Sequence, residues 1–215
     1  MKKESKKAQK QRAAQIVERL AAAYPDATCS LVAADPLQLL IATRLSAQCT
    51  DARVNLVTPA LFARFPTAAD FAAADVHEVE ELIRTCGLYK TKAADIVACC
   101  RKIVTDFNGK VPDELEALIT LPGIGRKTAN LICGDVYGKP AVVADTHFIR
   151  ICGRLGFVDT KDAYRVEKTM RELLPPDRSN DFCHRIVRFG RDICTARIKR
   201  CEICPLNALC PSAQE

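Results

Sequence analysis

The sequence lacks any run of about 18 uninterrupted apolar residues, the length that a membrane-spanning helix needs. No apolar segment follows its charged start at residues 1–7, so we expect neither a secretory signal nor a membrane partner. Alternation of apolar and polar residues, typical of strands, is almost absent, and no repeat period is detectable. These absences favour a protein of the cytoplasm, associated with the nucleoid if the source is a prokaryote.

Apolar residues recur at helical spacing along most of the chain, which predicts an all-α fold. The clearest stripe covers residues 93–107 and stops at Asn108-Gly109, and another ends at Gly87, a predicted C-terminal cap. Thr58 followed by Pro59 predicts the N-cap and first residue of a further helix. Later helices are predicted at about 113–120, 126–137, 146–154, 161–174 and 181–193.

Positive charge is concentrated in two places. The formal net charge is +6, yet residues 1–12 carry +5 and residues 185–200 another +5, so the remainder is slightly acidic. Two basic clusters on a near-neutral body favour a polyanion contacted locally, because phosphate contacts need the charge beside them. The alternative for each cluster is an ordinary solvated face.

Four of the twelve cysteines are grouped near the C-terminal end. Cys194, Cys201, Cys204 and Cys210 lie in a polar segment too short to build its own core. Four thiolates at this spacing predict a metal site whose binding energy orders the segment. Zinc and a [4Fe-4S] cluster both remain possible from the spacing. We expect most of the other eight cysteines to be buried thiols.

A glycine-containing turn joins two amphipathic helices. It includes Pro122, Gly123 and Gly125, and it is followed by Arg126 and Lys127. Glycines allow close backbone approach, and amides at the N-terminus of the second helix favour a phosphate, so we predict a contact with a nucleic-acid backbone. The alternative is a simple connection between helices.

Lys127 and Asp145 are the candidates for chemistry. The positive potential at a helix N-terminus beside Arg126 disfavours the protonated form of Lys127 and would favour a nucleophilic amine. A lysine that only binds phosphate is the alternative. Asp145 follows an apolar run and precedes a helical stripe, so it is also a predicted helix N-cap.

These residues resemble the endonuclease III family of helix-hairpin-helix DNA glycosylases. The resemblance covers nearly the whole chain apart from residues 1–12. It rests on the following segments: Leu45 to Asp51, Gly87-Leu88-Tyr89, Leu121 to Ala129, Asp145-Thr146-His147, Gly190-Arg191 and the four-cysteine tail.

The resemblance implies two helical lobes with a DNA-binding cleft between them. Residues 29–139 would form a six-helix barrel with the hairpin at about 113–137, and residues 1–28 with 140–215 would form the cluster lobe. By this analogy the four cysteines hold a [4Fe-4S] cluster, and Lys127 and Asp145 face the cleft from opposite lobes. Residues 1–12 are interpreted as a disordered basic tail.

The activity implied is that of a monomeric base excision repair enzyme, both DNA glycosylase and apurinic/apyrimidinic lyase, acting on duplex DNA that carries oxidised pyrimidines or abasic sites. Lys127 would attack the sugar, Asp145 would stabilise positive charge on it, and Gln48 and Leu88 would enter the vacated position in the duplex. The remaining DNA contacts implied are Gly123, Gly125, Arg126, Arg197, Lys199 and Arg200.

Three alternatives stand beside this activity. Adenine-mismatch glycosylases of this superfamily usually carry Ser in place of Lys127 and have an additional C-terminal domain, and thymine-mismatch glycosylases carry a residue such as Tyr there. The third alternative is a non-catalytic iron-sulfur DNA-binding module. Formation of a covalent adduct between Lys127 and DNA separates this module from the lyase.

Overall fold

The computed structural model describes residues 4–213, whose regular secondary structure is helical, and no strand is found among them. Its eleven α-helices in this range are α1 (Lys6–Ala23), α2 (Pro36–Leu45), α3 (Asp51–Arg64), α4 (Ala68–Ala73), α5 (Val76–Leu82), α6 (Tyr89–Phe107), α7 (Leu115–Leu118), α8 (Arg126–Asp135), α9 (Thr146–Arg154), α10 (Ala163–Leu173) and α11 (Ser179–Asp192). Short 3₁₀ helices cover Pro176–Arg178, Cys201–Ile203 and Asn207–Leu209. Within this range, no helix has both the length and the apolar character to cross a membrane.

The chain divides into two compact units. The central unit is Cys29–Gly138, and the terminal unit combines Met1–Thr28 with Lys139–Glu215. The central unit contains seven helices rather than the six predicted, because Leu115–Leu118 forms a single short turn of its own.

Two adjoining apolar clusters form the core of the central unit. One is built by α2 to α6 around Leu45, Phe71 and Ile96. The other packs α2, α6 and α7 against α8, and it includes Leu121 and Ile124 of the predicted hairpin. Because these two hairpin residues are only 2% and 6% exposed, they anchor the turn in the core while its glycines remain at the surface.

The terminal unit packs α1 and α9 to α11 around aromatic side chains. The rings of Phe148 and Phe182 meet edge to face at 6.0 Å, and those of Tyr24 and Phe189 do so at 6.5 Å. Burying an aromatic or large aliphatic side chain of this kind contributes about 1.5–3 kcal/mol. This packing fixes α9, which carries Asp145 at its N-terminal end, against α11, which leads into the cysteine segment.

The prediction of a disordered tail at residues 1–12 is wrong for the described part of that segment. Helix α1 begins at Lys6, and the Ser5 hydroxyl caps it by accepting from the Ala8 amide at 3.2 Å. Once the turn near Ile16 is anchored in the core, each residue added to the helix gains a backbone hydrogen bond, and Lys, Gln and Arg are good helix formers. Residues 1–3 lie outside the described range.

Two local predictions in the central unit are also wrong. Thr58-Pro59 does not open a helix, because α3 begins after the Thr50 cap and continues through Pro59 with Val54 and Leu61 buried on one side. That burial offsets a proline cost of about 3 kcal/mol.

Gly87 does not cap a helix either. Helix α5 ends at Leu82, and the left-handed backbone conformation is found at Leu88 instead.

Candidate catalytic and DNA-binding residues

The hairpin predicted from the glycines lies between α7 and α8. Gly123 has a φ of +73°, which a residue with a side chain rarely adopts. Gly125 is the N-cap of α8 and offers no side chain to the amides of the first helical turn. Because those amides carry the partial positive charge of the helix terminus, an anion is stabilised there. The geometry therefore fits contact with a phosphate.

Lys127 is exposed in the first turn of α8, two residues after the cap. Arg126 beside it is half-buried. On the opposite side of the helix Ala129, Ile132 and Cys133 are buried in the core, which holds α8 in place. The amine is thus presented to solvent at the end of an anchored helix.

Gln48 and Leu88 lie in two interhelical turns that meet. Gln48 follows α2 with a φ of 53°, Leu88 precedes α6 with a φ of 59°, and both side chains are exposed. A Cβ built on Gly87 would lie 3.2 Å from the Gln48 carbonyl oxygen, so the two turns touch through their backbones. Their side chains project from neighbouring points of one surface.

Asp145 caps α9 in the terminal unit, as its position in the sequence predicts. Its Oδ1 accepts a hydrogen bond from the Phe148 amide at 2.7 Å, and the residue is half-buried. One carboxylate oxygen therefore accepts from the backbone of the helix that it caps.

The four C-terminal cysteines line one cavity. Burial, with a smaller contribution from the neighbouring thiols, raises the pKa of Cys204 and of Cys210. Among the described residues, no group of three or more His, Cys, Asp or Glu is arranged to hold a metal ion. What the structure shows for the predicted ligand set is that the four thiols line the same cavity.

Two arginines of α9 bind the cysteine segment, and the sequence reasoning did not identify them. Arg154 donates to the Cys194 sulfur at 3.0 Å and to the Thr195 carbonyl at 2.6 Å. Arg150 donates to the Cys194 carbonyl at 3.1 Å. Their four-residue spacing predicts that they share one face of the helix. It does not predict that their partners are backbone carbonyls about 40 residues away in the sequence.

A third arginine holds the segment from α1. Arg12 donates to the carbonyls of Leu155 and Leu209, at 2.7 and 3.3 Å, and stacks on the Phe157 ring at 4.3 Å from its centroid. One of the basic side chains assigned to a tail is therefore structural.

The basic cluster at 185–200 is not uniform. Arg197 and Arg200 are exposed, whereas Lys199 is half-buried and its Nζ donates to the Ser212 carbonyl at 3.3 Å. Arg185 is 9% exposed and donates to the Tyr24 carbonyl and to Asp181. Arg188 and Arg191 are exposed as well. Arg200 also donates to the Asp192 carbonyl at 3.4 Å, so Arg197 and Arg200 are two of four exposed arginines that an external phosphate can reach.

Comparison with known proteins places the chain in a family. The model of the HhH-GPD superfamily of base excision DNA repair proteins matches residues 41–176. A curated endonuclease III of Synechocystis sp. is 48% identical over 206 residues, covering 95% of this chain and 94% of the relative. Two solved structures, a non-covalent endonuclease III–DNA complex and a trapped endonuclease III–DNA covalent intermediate, each give a TM-score of 0.88 at 42% identity, covering 95% of this chain and 96% of theirs.

Proposed function

The chain belongs to the HhH-GPD superfamily of base excision DNA repair proteins, and from this premise we propose that it removes oxidised pyrimidines from duplex DNA and nicks the strand through Lys127. The predicted endonuclease III family, all-α fold and enzyme class, a DNA glycosylase with lyase activity, are confirmed. The substrate class, the roles of individual residues and action as a monomer are the proposal.

The observation that carries the proposal is the exposed Lys127 at an anchored helix N-terminus whose cap, Gly125, leaves the amides open. Those amides would bind a backbone phosphate without reading sequence, because backbone contacts carry no base information. With the phosphate held there, the attached sugar comes within reach of the lysine amine. The proposed phosphate contact and the proposed nucleophile thus lie within one helical turn.

The reaction proceeds through a covalent intermediate on Lys127. The unprotonated Nζ attacks C1′ of the sugar, the N-glycosidic bond breaks, and the base leaves with the electron pair and takes up a proton. Opening of the sugar gives a Schiff base between Nζ and C1′. Loss of a proton from C2′ then expels the 3′ phosphate, and water releases the lysine.

Asp145 supports the step in which positive charge develops on the sugar. Its carboxylate stabilises that charge electrostatically. The helix cap fixes Oδ1, so the carboxylate enters the site in one orientation.

Gln48 and Leu88 occupy the position that an extruded nucleotide vacates. A damaged base that stacks or pairs poorly costs less to rotate out of the duplex. An apolar side chain suits the unstacked gap, and Leu88 is 56% exposed although apolar. The touching turns let both side chains enter one gap together.

The four cysteines Cys194, Cys201, Cys204 and Cys210 would hold a [4Fe-4S] cluster. Membership of the family supports this assignment, and the four thiols line one cavity. The cluster would supply a cross-link that orders the segment carrying Arg197 and Arg200 onto DNA phosphates. Arg154 stabilises the ligand sulfur of Cys194.

The proposal is tested with a duplex containing one thymine glycol or one abasic site. The purified protein is expected to release the base and to nick the strand on the 3′ side, and Lys127→Gln is expected to do neither while still binding the duplex. Lys110→Gln, at an exposed lysine on another surface of the central unit, is the control. Base release by Lys127→Gln at the wild-type rate would overturn the assignment.

Iron and sulfide analysis of the same preparation tests the cofactor separately. We expect about four irons per chain and the broad absorption band of an iron-sulfur cluster. One zinc per chain with no iron would overturn the cluster while leaving the glycosylase assignment in place.

A further inference from the structure

An ion pair lies directly beneath the hairpin. Arg44 is the penultimate residue of α2, and Asp95 lies in the second turn of α6. Arg44 Nε donates to Asp95 Oδ2 at 3.0 Å, and the Nη2 of Arg44 donates to the same oxygen. The two side chains are only 16% and 27% exposed, so water competes weakly for this pair.

Gly123 rests on this pair. A Cβ added to Gly123 would lie 2.8 Å from Arg44 Nε and 2.8 Å from the Asp95 Cβ, closer than real Cβ contacts. Position 123 therefore requires glycine for two reasons. Its φ is left-handed, and a side chain would collide with the ion pair. The hairpin backbone therefore lies against the ion pair without a spacer.

The pair joins three elements that the proposed function uses. Arg44 lies in the last turn of the helix that leads to Gln48, Asp95 belongs to the helix that follows Leu88, and Gly123 leads to the α8 terminus. Its position is therefore the junction between the hairpin and the two interhelical turns.

A semi-buried ion pair at such a junction fixes geometry more than it adds stability. Removing two charges from water costs about as much as their attraction returns, so an apolar pair of similar size would support the fold equally well. An apolar pair would lack directional bonds. In the ion pair, two donors of the Arg44 guanidinium bind one oxygen of Asp95, which fixes the arginine side chain in one orientation.

We propose that Arg44 and Asp95 are positioning residues that hold the hairpin at the height and angle at which its amides bind DNA phosphate. The inference rests on the proposed function, because it assigns a support to the same phosphate contact. It concerns binding of the duplex rather than the reaction at Lys127.

The test is a double-mutant cycle of Arg44→Met, Asp95→Asn and the double variant, with Arg44→Lys as the conservative change. The control is Arg64→Met/Glu78→Gln, which removes an ion pair elsewhere in the central unit. Each variant is assayed under single-turnover conditions on the abasic duplex, for the half-saturating DNA concentration and the maximal rate. Circular dichroism establishes that each variant is folded.

We expect the double variant to raise the half-saturating DNA concentration about tenfold and to change the maximal rate much less, since displacement of a positioned group by about 1 Å can cost up to a hundredfold. Arg44→Lys, which keeps the charge but lacks the fork, should give a smaller rise. The control pair should leave the half-saturating concentration at the wild-type value. If the double variant does not fold, the comparison of Arg44→Lys with wild type decides the question.

Failure of the inference and failure of the proposed function are distinguishable. A folded double variant that keeps the wild-type half-saturating concentration, or a control pair that raises it equally, overturns the positioning role alone. A wild-type protein that neither binds nor nicks the abasic duplex overturns both.

Discussion

Gln48 and Leu88 share the left-handed backbone conformation, with φ values of 53° and 59°, in two turns that touch where Gly87 meets the Gln48 carbonyl. A residue with a side chain pays about 1–2 kcal/mol for this conformation. Leu88 is also 56% exposed. It therefore has both an unfavourable backbone conformation and an apolar side chain left in water. The proposed entry of Leu88 into the duplex would account for that cost.

Leu88→Gly separates this role from stability. Glycine removes the conformational strain at this φ, but it also raises the conformational entropy of the unfolded chain. Because the two effects oppose each other, the free energy of unfolding should stay within about 1 kcal/mol of wild type. Release of thymine glycol should fall more than nicking of an abasic site, because the abasic site has no base to extrude. Asn108→Gly, at a φ of 52° in the C-cap of α6, is the backbone control. Equal reductions on both substrates would contradict the role.

Two substitutions at Asp145 distinguish its cap from its charge. Asn also caps helices well, so Asp145→Asn should keep the free energy of unfolding near that of wild type, whereas Asp145→Ala should lose about 1 kcal/mol with the Phe148 hydrogen bond. Both should lose base release, because both lack the carboxylate. Denaturant unfolding and a single-turnover assay measure the two effects. Full base release by Asp145→Asn would remove Asp145 from the chemistry.

The exposed arginines after Cys194 should determine part of the salt dependence of DNA binding. Arg197→Ala/Arg200→Ala should reduce the slope of log K against log salt by about two, one for each arginine that no longer neutralises a phosphate. Lys199→Ala should change the slope less, because Lys199 is half-buried, unlike the two arginines, and its Nζ is bound to the Ser212 carbonyl. Binding titrations on undamaged duplex at several salt concentrations measure the slopes, and an unchanged slope in the double variant would contradict a phosphate-binding role for the two arginines.

Buried thiols should make the fold sensitive to alkaline pH. Burial raises the pKa of Cys99 from 9.0 to about 12 and that of Cys29 to about 11. Above pH 9 the folded chain therefore binds more protons than the unfolded chain. The contribution of these thiols to the free energy of unfolding is complete below pH 9 and is lost as pH rises toward 12.

Cys99→Ala tests this linkage. The variant should lose stability less steeply between pH 9 and 11 than wild type, by up to about 1.4 kcal/mol per pH unit. Val97→Ala, another buried change on α6, should keep the wild-type slope. Urea unfolding at each pH gives the free energies of unfolding. If the free energy falls with pH at the same slope in the two variants, the raised pKa of the Cys99 thiol is contradicted.

Short-range signals predicted much of the structure. The stripe of α6 and its stop at Asn108, the cap at Asp145 and the hairpin glycines are local patterns, and each recurs in the structure. Helix α4 was missed although Thr67 and Asp70 form a capping box, a signature readable in the sequence.

What the sequence could not predict depends on partners distant along the chain. Arg12 was assigned to a tail because its acceptors, the carbonyls of Leu155 and Leu209, are backbone groups without any sequence pattern. The same holds for Arg154 and the Cys194 sulfur, and for the contact between Gly123 and Arg44. The roles of Lys127, Asp145 and the four cysteines stay predictions.

Reduction of the DNA complex with borohydride tests the central claim most directly, since it converts a Schiff base into a stable amine. Wild-type protein mixed with the abasic duplex should give a covalent protein–DNA adduct on a denaturing gel, Lys110→Gln should give the same adduct, and Lys127→Gln should give none while still shifting the duplex on a native gel. No adduct from active wild type, or an undiminished adduct from Lys127→Gln, would contradict Lys127 as the nucleophile.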